Sequence, residues 1–411
     1  MPPRASEFAH LQSAGCELSQ GKPKDSEAWA LQLSHPLWGQ ARIASLKQTP
    51  VIPKVILQFD NRLEDSEKAN ALLGQSSVHI ELNGEKYDVL RDRKRLLRFL
   101  NAVMRNDGLI AMDLTASRFW AQAALDEELS HDADLDIDSL FTVHAITDTQ
   151  TGKPKWYHTH GLAEIGFFDF DVVRPSEDLL SARCHDFARA VAFSIVEGKV
   201  QPSTPMAKVI STGPIRFVDV TDFNRRASKA DRAMRDTDEF HNRNRAVLCD
   251  PVAGGFFSKI FGSTPRPSQI LSAPQGDFMV FFPTQSTRLM ARRARQTYSY
   301  FRQLVAEFAE LKAKAIVKLG YRVDGGQPDD LEHMWFEVHA LNDETIDATL
   351  VNNPRHVSTL KPGQRLLHPV QQLTDWMLML PTGTVNPRDA HSARTARAHR
   401  QEILKQLRVH S

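Results

Sequence analysis

From residue 315 the chain alternates apolar and polar positions in short runs, AIVKLGYRV, HMWFEVHAL, TIDATLVNN and QRLLHPV, with LTDWMLML as a last strand or turn. A period of two marks half-buried strands. The pairs Gly325-Gly326, Asn342-Asp343 and Pro362-Gly363 supply turns between them, so a small antiparallel sheet is predicted. Ahead of it, Leu289, Tyr298, Phe301, Val305, Phe308 and Leu311 keep helical spacing, with Arg288, Arg292, Arg293, Arg295 and Arg302 mostly off that stripe. The arginines read as a solvated helix face, with phosphate contact as the sharper alternative.

Upstream the period changes repeatedly. VIPKVILQF reads as a strand, LEDSEKANALLG as a short helix, VHIELNGEKYDVL as a hairpin turning at Asn83-Gly84, and DRKRLLRFLNAVMR as a helix with a Leu96, Leu97, Leu100 and Val103 stripe. GLIAMDL is a strand, ASRFWAQAALDEELS and SEDLLSARCHDFARAVAFSIVEG are helices, and MAKVISTGPIRFVDV gives two strands. The class is α+β, with mixed or antiparallel sheets, flanking helices and two domains.

A length of 411 residues is long for a single core. The divisions read from composition are a flexible extension over 1–25, an α+β domain or paired subdomains over 26–270, a small α+β domain over 276–385 and a basic, helical tail over 386–411. The Gly/Pro/Ser-punctuated run 250–274, with Phe256, Phe257 and Phe261, is the boundary or lid candidate. The acidic string Asp132, Asp134, Asp136 and Asp138 reads as a solvated linker, because it lacks the glycine and terminal glutamate of a calcium loop.

Lys plus Arg total 51 against 50 for Asp plus Glu, so no global field points to nucleic acid, which is not expected as a partner. No run is long and apolar enough for a transmembrane segment, and the N-terminus has no apolar signal core. Cys16, Cys184 and Cys249 are scattered and odd in number, which argues against a disulfide framework. A cytoplasmic location is the expectation.

The segments LEHMWFEVHA, AIVKLGY, TLVNNP, KPGQ and LTDWM resemble the small uncharacterised bacterial family typified by YegJ, the domain of unknown function DUF2314, over roughly residues 285–385. HPLWGQA at 35–41 and FTVHAI with WYHTHGL resemble a second uncharacterised bacterial domain, DUF4026-like, often placed ahead of the first. Neither resemblance implies an established activity. Within the terminal unit, His333, Trp335, Asp375 and Trp376 are the candidate ligand-binding residues, with a packed Trp335 as the structural alternative.

The other candidate site is FTVHAITDTQTGKPKWYHTHGL, residues 141–162. His158 and His160 share a strand face, and an eight-residue connection allows His144 to pair with either. Three imidazoles, with Asp171 nearby in sequence, form a candidate metal site; no cofactor is assigned, and zinc is the possible one. WYHTHG with Asp171 also resembles the zinc isopeptidases that remove ubiquitin-like modifiers, which implies His158, His160 and Asp171 as ligands and an upstream Glu as base. Gly161 stands where that pattern has proline and Phe168 where it has serine, and no Glu can be assigned. The reading is therefore a binding module for an unidentified protein or small ligand, with zinc-dependent hydrolysis at the histidine hairpin as the alternative, and structural, hydrogen-bonded histidines as the plainest account.

Overall fold

A computed structural model describes residues 4–52, 63–82, 89–105, 108–114, 116–148, 154–174, 181–196, 207–210, 213–235, 244–250, 264–267, 284–328 and 330–409, with Lys54 and Leu57. The expected strand at 51–59, the Asn83-Gly84 turn, the aromatic run of 250–274 and the apolar run GDFMVFF at 276–282, which reads from its sequence as a strand, fall largely or wholly outside these residues. The architecture is α+β, and the chain forms two compact units. One comprises Met1–Met112, Phe119–Asp136 and Met290–Ser411; the other comprises Asp113–Arg118 and Ile137–Leu289.

The first unit holds two sheets. Strands β1 (Glu17–Gly21), β2 (Glu27–His35), β3 (Gly39–Leu46) and β4 (Val78–Leu82) pair antiparallel in sequence order. Leu31, Leu33 and Ile43 pack one face of this sheet against Phe99 and Ala102 of the helix Val89–Met104, and against Phe8 and Leu11. The segment read as a flexible extension thus contributes a helical turn, a strand and core side chains, because its few apolar residues are spaced to cover the end of the sheet. The helix stripe also differs from expectation. Phe99 is buried against this sheet where Leu100 was expected, and on another side of the helix Lys94 is buried as well, its ammonium donating to the His131 and Ala133 carbonyls.

After a short ribbon of β5 (Ala111–Asp113) and β6 (Arg118–Trp120), the second unit builds a six-stranded sheet. Its strands are β7 (Thr142–Thr147), β8 (Pro154–His160), β9 (Asp169–Val173), β10 (Ala207–Ile210), β11 (Gly213–Asp219) and β12 (Arg245–Cys249), in the order β10-β11-β12-β9-β8-β7. The β12/β9 pair is parallel and the others are antiparallel, which makes this sheet mixed. Trp156, Val173, Val218 and Val247 lie on one face with Phe223 of the helix Val220–Arg226.

The first unit is completed by β13 (Lys314–Arg322), β14 (Leu331–Leu341), β15 (Thr345–Leu350), β16 (Arg365–Pro369), β17 (Leu373–Leu380) and β18 (Gly383–Val385). They form an antiparallel sheet in the order β16-β15-β14-β13-β17-β18. Val317, Leu319, Met334, Phe336, Trp376 and Leu378 point inward together with Phe301, Leu304 and Phe308, as alternation predicts. The single long helix expected before this sheet is two, Thr284–Gln296 and Tyr298–Glu307. At the break the Thr297 hydroxyl donates to the Arg293 carbonyl at 2.8 Å and accepts from the Trp376 indole N–H at 2.9 Å.

The acidic string and the arginine row meet at Asp134, which pairs with Arg292 at 2.6 Å, while Arg293 pairs with Glu128 at 3.1 Å and Asp136 is buried; Asp132, Arg292 and Arg295 remain exposed. Tyr300 and Arg397 both engage Glu127. The tail is helical, over His391–Ala398 and Arg400–Val409, and its Arg397 and Arg400 pair with Glu307 and Glu310 at 2.8 and 2.6 Å.

Candidate metal centre

Antiparallel pairing of β7 with β8 sets His144 opposite His158 and Thr142 opposite His160. Opposed residues project to the same face, as do residues two apart on one strand, so all three imidazoles meet there. Ring centroids lie 5.3 Å apart for His144 and His158, 4.9 Å for His144 and His160, and 4.8 Å for His158 and His160. One ligand nitrogen from each can be chosen so that all lie within 4.8 Å of one another. His158 is 3% exposed and stacks on Trp156 at 3.9 Å, while His144 and His160 are half-buried.

Asp171 pairs with His158 across the β8/β9 ladder, but its carboxylate has other partners. Its Oδ2 accepts from Arg235 Nε at 2.9 Å and its Oδ1 from Arg245 Nη1 at 2.8 Å, and all three side chains are buried. Arg245 also donates to the Thr159 carbonyl at 2.9 Å, and Arg235 stands 5.9 Å above the Trp156 ring. Next along β9, Asp169 accepts from the Thr159 hydroxyl at 2.7 Å and from the Leu162 and Ala163 N–H groups, while burial pushes its carboxyl above the ordinary range. Among the described residues the metal-capable group is His144, His158 and His160, without a carboxylate or thiol. The two arginines were not singled out in the sequence; a charged residue heading the otherwise apolar strand RAVLC was the available signal for Arg245.

Gly161 ends β8 at φ +117°, where a Cβ would come within 2.5 Å of the Leu140 carbonyl oxygen. Proline, fixed near −65°, cannot occupy this position, which accounts physically for the departure from the isopeptidase pattern. Phe168 is buried and packs edge-on against Phe217, a role a serine could not fill.

The second candidate group divides by sheet face. Lys318 pairs with Trp335 on one side and Asp375 on the other, so these three project together from the outer face. The Lys318 ammonium lies 5.5 Å above the half-buried Trp335 ring. His333 accompanies them, 3.1 Å from the Thr374 hydroxyl, and burial followed by the Lys318 charge holds its imidazole below its usual range. Burial raises the Asp375 carboxyl. Trp376 faces the other way, fully buried and stacked on Phe301 at 4.8 Å.

The chain is an α+β protein, and its residues 285–404 match the family DUF2314, described as an uncharacterized protein conserved in bacteria. A relative, the putative ankyrin repeat protein NMB1133/NMB1171 of Neisseria meningitidis serogroup B, is 29% identical over 111 residues, covering 25% of this chain and 44% of that protein. The chain thus spans less than half the length of this relative. No solved structure matches. Among the described residues no helix is long and apolar enough to cross a membrane.

Proposed function

We propose that this is a ligand-binding protein whose second unit holds one divalent transition-metal ion, zinc in the first instance, on His144, His158 and His160. The observation that carries the reading is the convergence of three imidazole nitrogens to within 4.8 Å. A tetrahedral ion with bonds of ~2.0–2.1 Å draws its ligands to about 3.3 Å of one another, a closure within reach of small ring rotations. Neutral imidazoles suit zinc and its neighbours and disfavour calcium or magnesium, which seek oxygen. The hairpin lies in the part of the chain that resembles the DUF4026-like domain, so we assign metal binding to that part. Hydrolysis would require a general base, and the adjacent carboxylate, Asp171, already accepts from two guanidinium groups; binding is the better supported role.

Chelator-stripped full-length protein, titrated with zinc against a chromophoric competitor, should take up about one ion per chain. His144→Ala, at the half-buried edge strand, should weaken uptake by about 10- to 100-fold with circular dichroism unchanged. Zinc affinity equal to that of the parent in His144→Ala and in a folded His158→Asn/His160→Asn pair would remove the reading.

A further inference from the structure

We infer that the outer face of the C-terminal sheet holds a second binding site, independent of the metal reading, and that its ligand is a neutral polyhydroxyl compound, a sugar. Lys318, Trp335 and His333 share this face, because Lys318 is opposite Trp335, and Gly320 opposite His333, in the β13/β14 ladder. The Thr374 hydroxyl fixes the tautomer of His333. It donates its one hydrogen to the Lys318 carbonyl at 3.1 Å, so towards the imidazole, also at 3.1 Å, it accepts, and Nδ1 carries the ring hydrogen. Nε2 of the neutral ring is therefore an acceptor, and burial favours that neutral form. Two residues further along β14 the Trp335 indole N–H is a donor, and the Lys318 ammonium above its ring brings more. Among the described residues no hydrogen-bond partner meets the His333 Nε2, the Trp335 indole N–H or the Lys318 ammonium.

Charge on this face selects against an ion. Lys314 pairs with Glu337 at 3.1 Å, Arg365 with Asp347 at 2.5 Å, and Arg388 stands 4.0 Å from Asp375, which also feels Lys318 and Asp136. Counted as ionised, these four cations face four carboxylates, so neither sign is in excess. What the face does offer is donors and an acceptor side by side, flanked by apolar surface. Leu331, next to His333 over Gly320, is 42% exposed, and Val351, whose N–H donates to the Trp335 carbonyl, is 58% exposed. A hydroxyl donates once and accepts twice. Neighbouring hydroxyls on one ring can thus give a hydrogen to His333 Nε2 and a lone pair to Lys318 or Trp335, while the C–H groups of the ring cover Leu331, Trp335 and Val351. A carboxylate would satisfy the donors but turn a lone pair towards Nε2, which has no hydrogen to offer.

The indole N–H resonance of Trp335 reports the site directly in full-length protein isotope-labelled at its tryptophans. Trp335→Phe, which removes the resonance, and Lys318→Met, which shifts it, assign it in two ways. The protein is titrated with D-glucose, D-mannose, D-galactose and N-acetyl-D-glucosamine, and with maltose and cellobiose as ends of a longer chain. Glycerol serves as a polyol without a ring, and sodium acetate at constant ionic strength as the anion. The expected result is a saturable shift with at least one sugar, half-complete below about 10 mM, and a response to glycerol and acetate weaker by about 10-fold or more. Lys318→Met should weaken sugar binding by about 10-fold, as loss of a hydrogen bond to a charged group does. A disaccharide that binds about 10-fold tighter than its monosaccharide identifies a glycan end, and equal binding a free sugar, as the source. No saturable shift with any of these sugars through about 100 mM, an equal response to glycerol, tighter binding of acetate, or unchanged sugar binding in folded Lys318→Met overturns the inference.

Discussion

Two tryptophans, Trp335 and Trp376, stand on opposite faces of the C-terminal sheet and should behave differently. Trp376 is 0% exposed, stacked on Phe301 and hydrogen-bonded to Thr297, so Trp376→Ala should cost about 3–5 kcal/mol in denaturant unfolding. Trp335 is half-buried beneath an ammonium group, and Trp335→Ala should cost about 1 kcal/mol. Equal losses would mean that the outer face is covered in solution. Burial also acts on two histidines of this unit. His368, fully buried and bonded to Tyr321, is held below its ordinary range, and burial, then Arg293 and Lys94, push His131 down to about 3. In the unfolded chain a histidine takes its proton near pH ~6.5, so below that pH the unfolded state binds more protons. Stability should therefore be complete above pH ~6.5 and fall with acidification toward the lower folded values, by at most about 1.4 kcal/mol per pH unit for each histidine. Denaturant midpoints at about pH 7 and about pH 5 would show the loss, and His368→Leu should flatten the slope. Identical slopes in the two proteins would exclude His368 as a contributor.

At the scale of elements, one backbone angle fixes the end of the histidine strand. Gly161 has φ +117° and no room for a Cβ beside Leu140, so Gly161→Ala should destabilise the chain by at least about 2 kcal/mol and displace its neighbour His160, lowering zinc affinity together with thermal stability. Unchanged melting and zinc uptake in that variant would show that the turn tolerates a side chain. The strand itself was legible, because alternation in WYHTHGL and FTVHAIT places the histidines on faces without any tertiary information. The same rule separates Trp335 from Trp376 once the register of Lys318 with both flanking strands is known, and that register is set by pairing between distant segments. What could not be read was the fate of charges. Lys94, Arg293, Arg235 and Arg245 look like surface residues by type, yet each is buried because a carbonyl or carboxylate far along the chain meets it. The helix Val89–Met104 shows the consequence, since Lys94 is buried by donating to carbonyls of residues 131 and 133, for which periodicity offers no signal.

For the whole molecule, the two compact units do not follow the linear order of the chain. Residues 119–136 belong with 290–411, although more than a hundred residues of the other unit separate them in sequence. Ionic contacts join them, beside the ring contact of His131 with Tyr300. Arg293 reaches Glu128, whose side chain is 14% exposed, and Arg397 with Tyr300 reaches Glu127. Removing one partner of a largely buried pair strands the other charge, a loss of about 2–4 kcal/mol after allowance for residual solvent. We propose a domain boundary at 262–285 on the Gly/Pro-rich sequence there. A fragment spanning 285–411 should accordingly unfold cooperatively, but at lower stability than the same region in the full chain, because Glu127, Glu128 and Asp134 are missing from it. Arg293→Ala separates the two contributions. In the full chain the substitution should cost about 2–4 kcal/mol, and in the fragment, where the Pro387 carbonyl is the remaining side-chain partner, about 1 kcal/mol or less. Equal losses in both would show that the acidic connection adds nothing to the cooperative unit. A fragment 285–411 that fails to fold while 276–411 folds would move the boundary to the N-terminal side of GDFMVFF and make that segment part of the C-terminal domain.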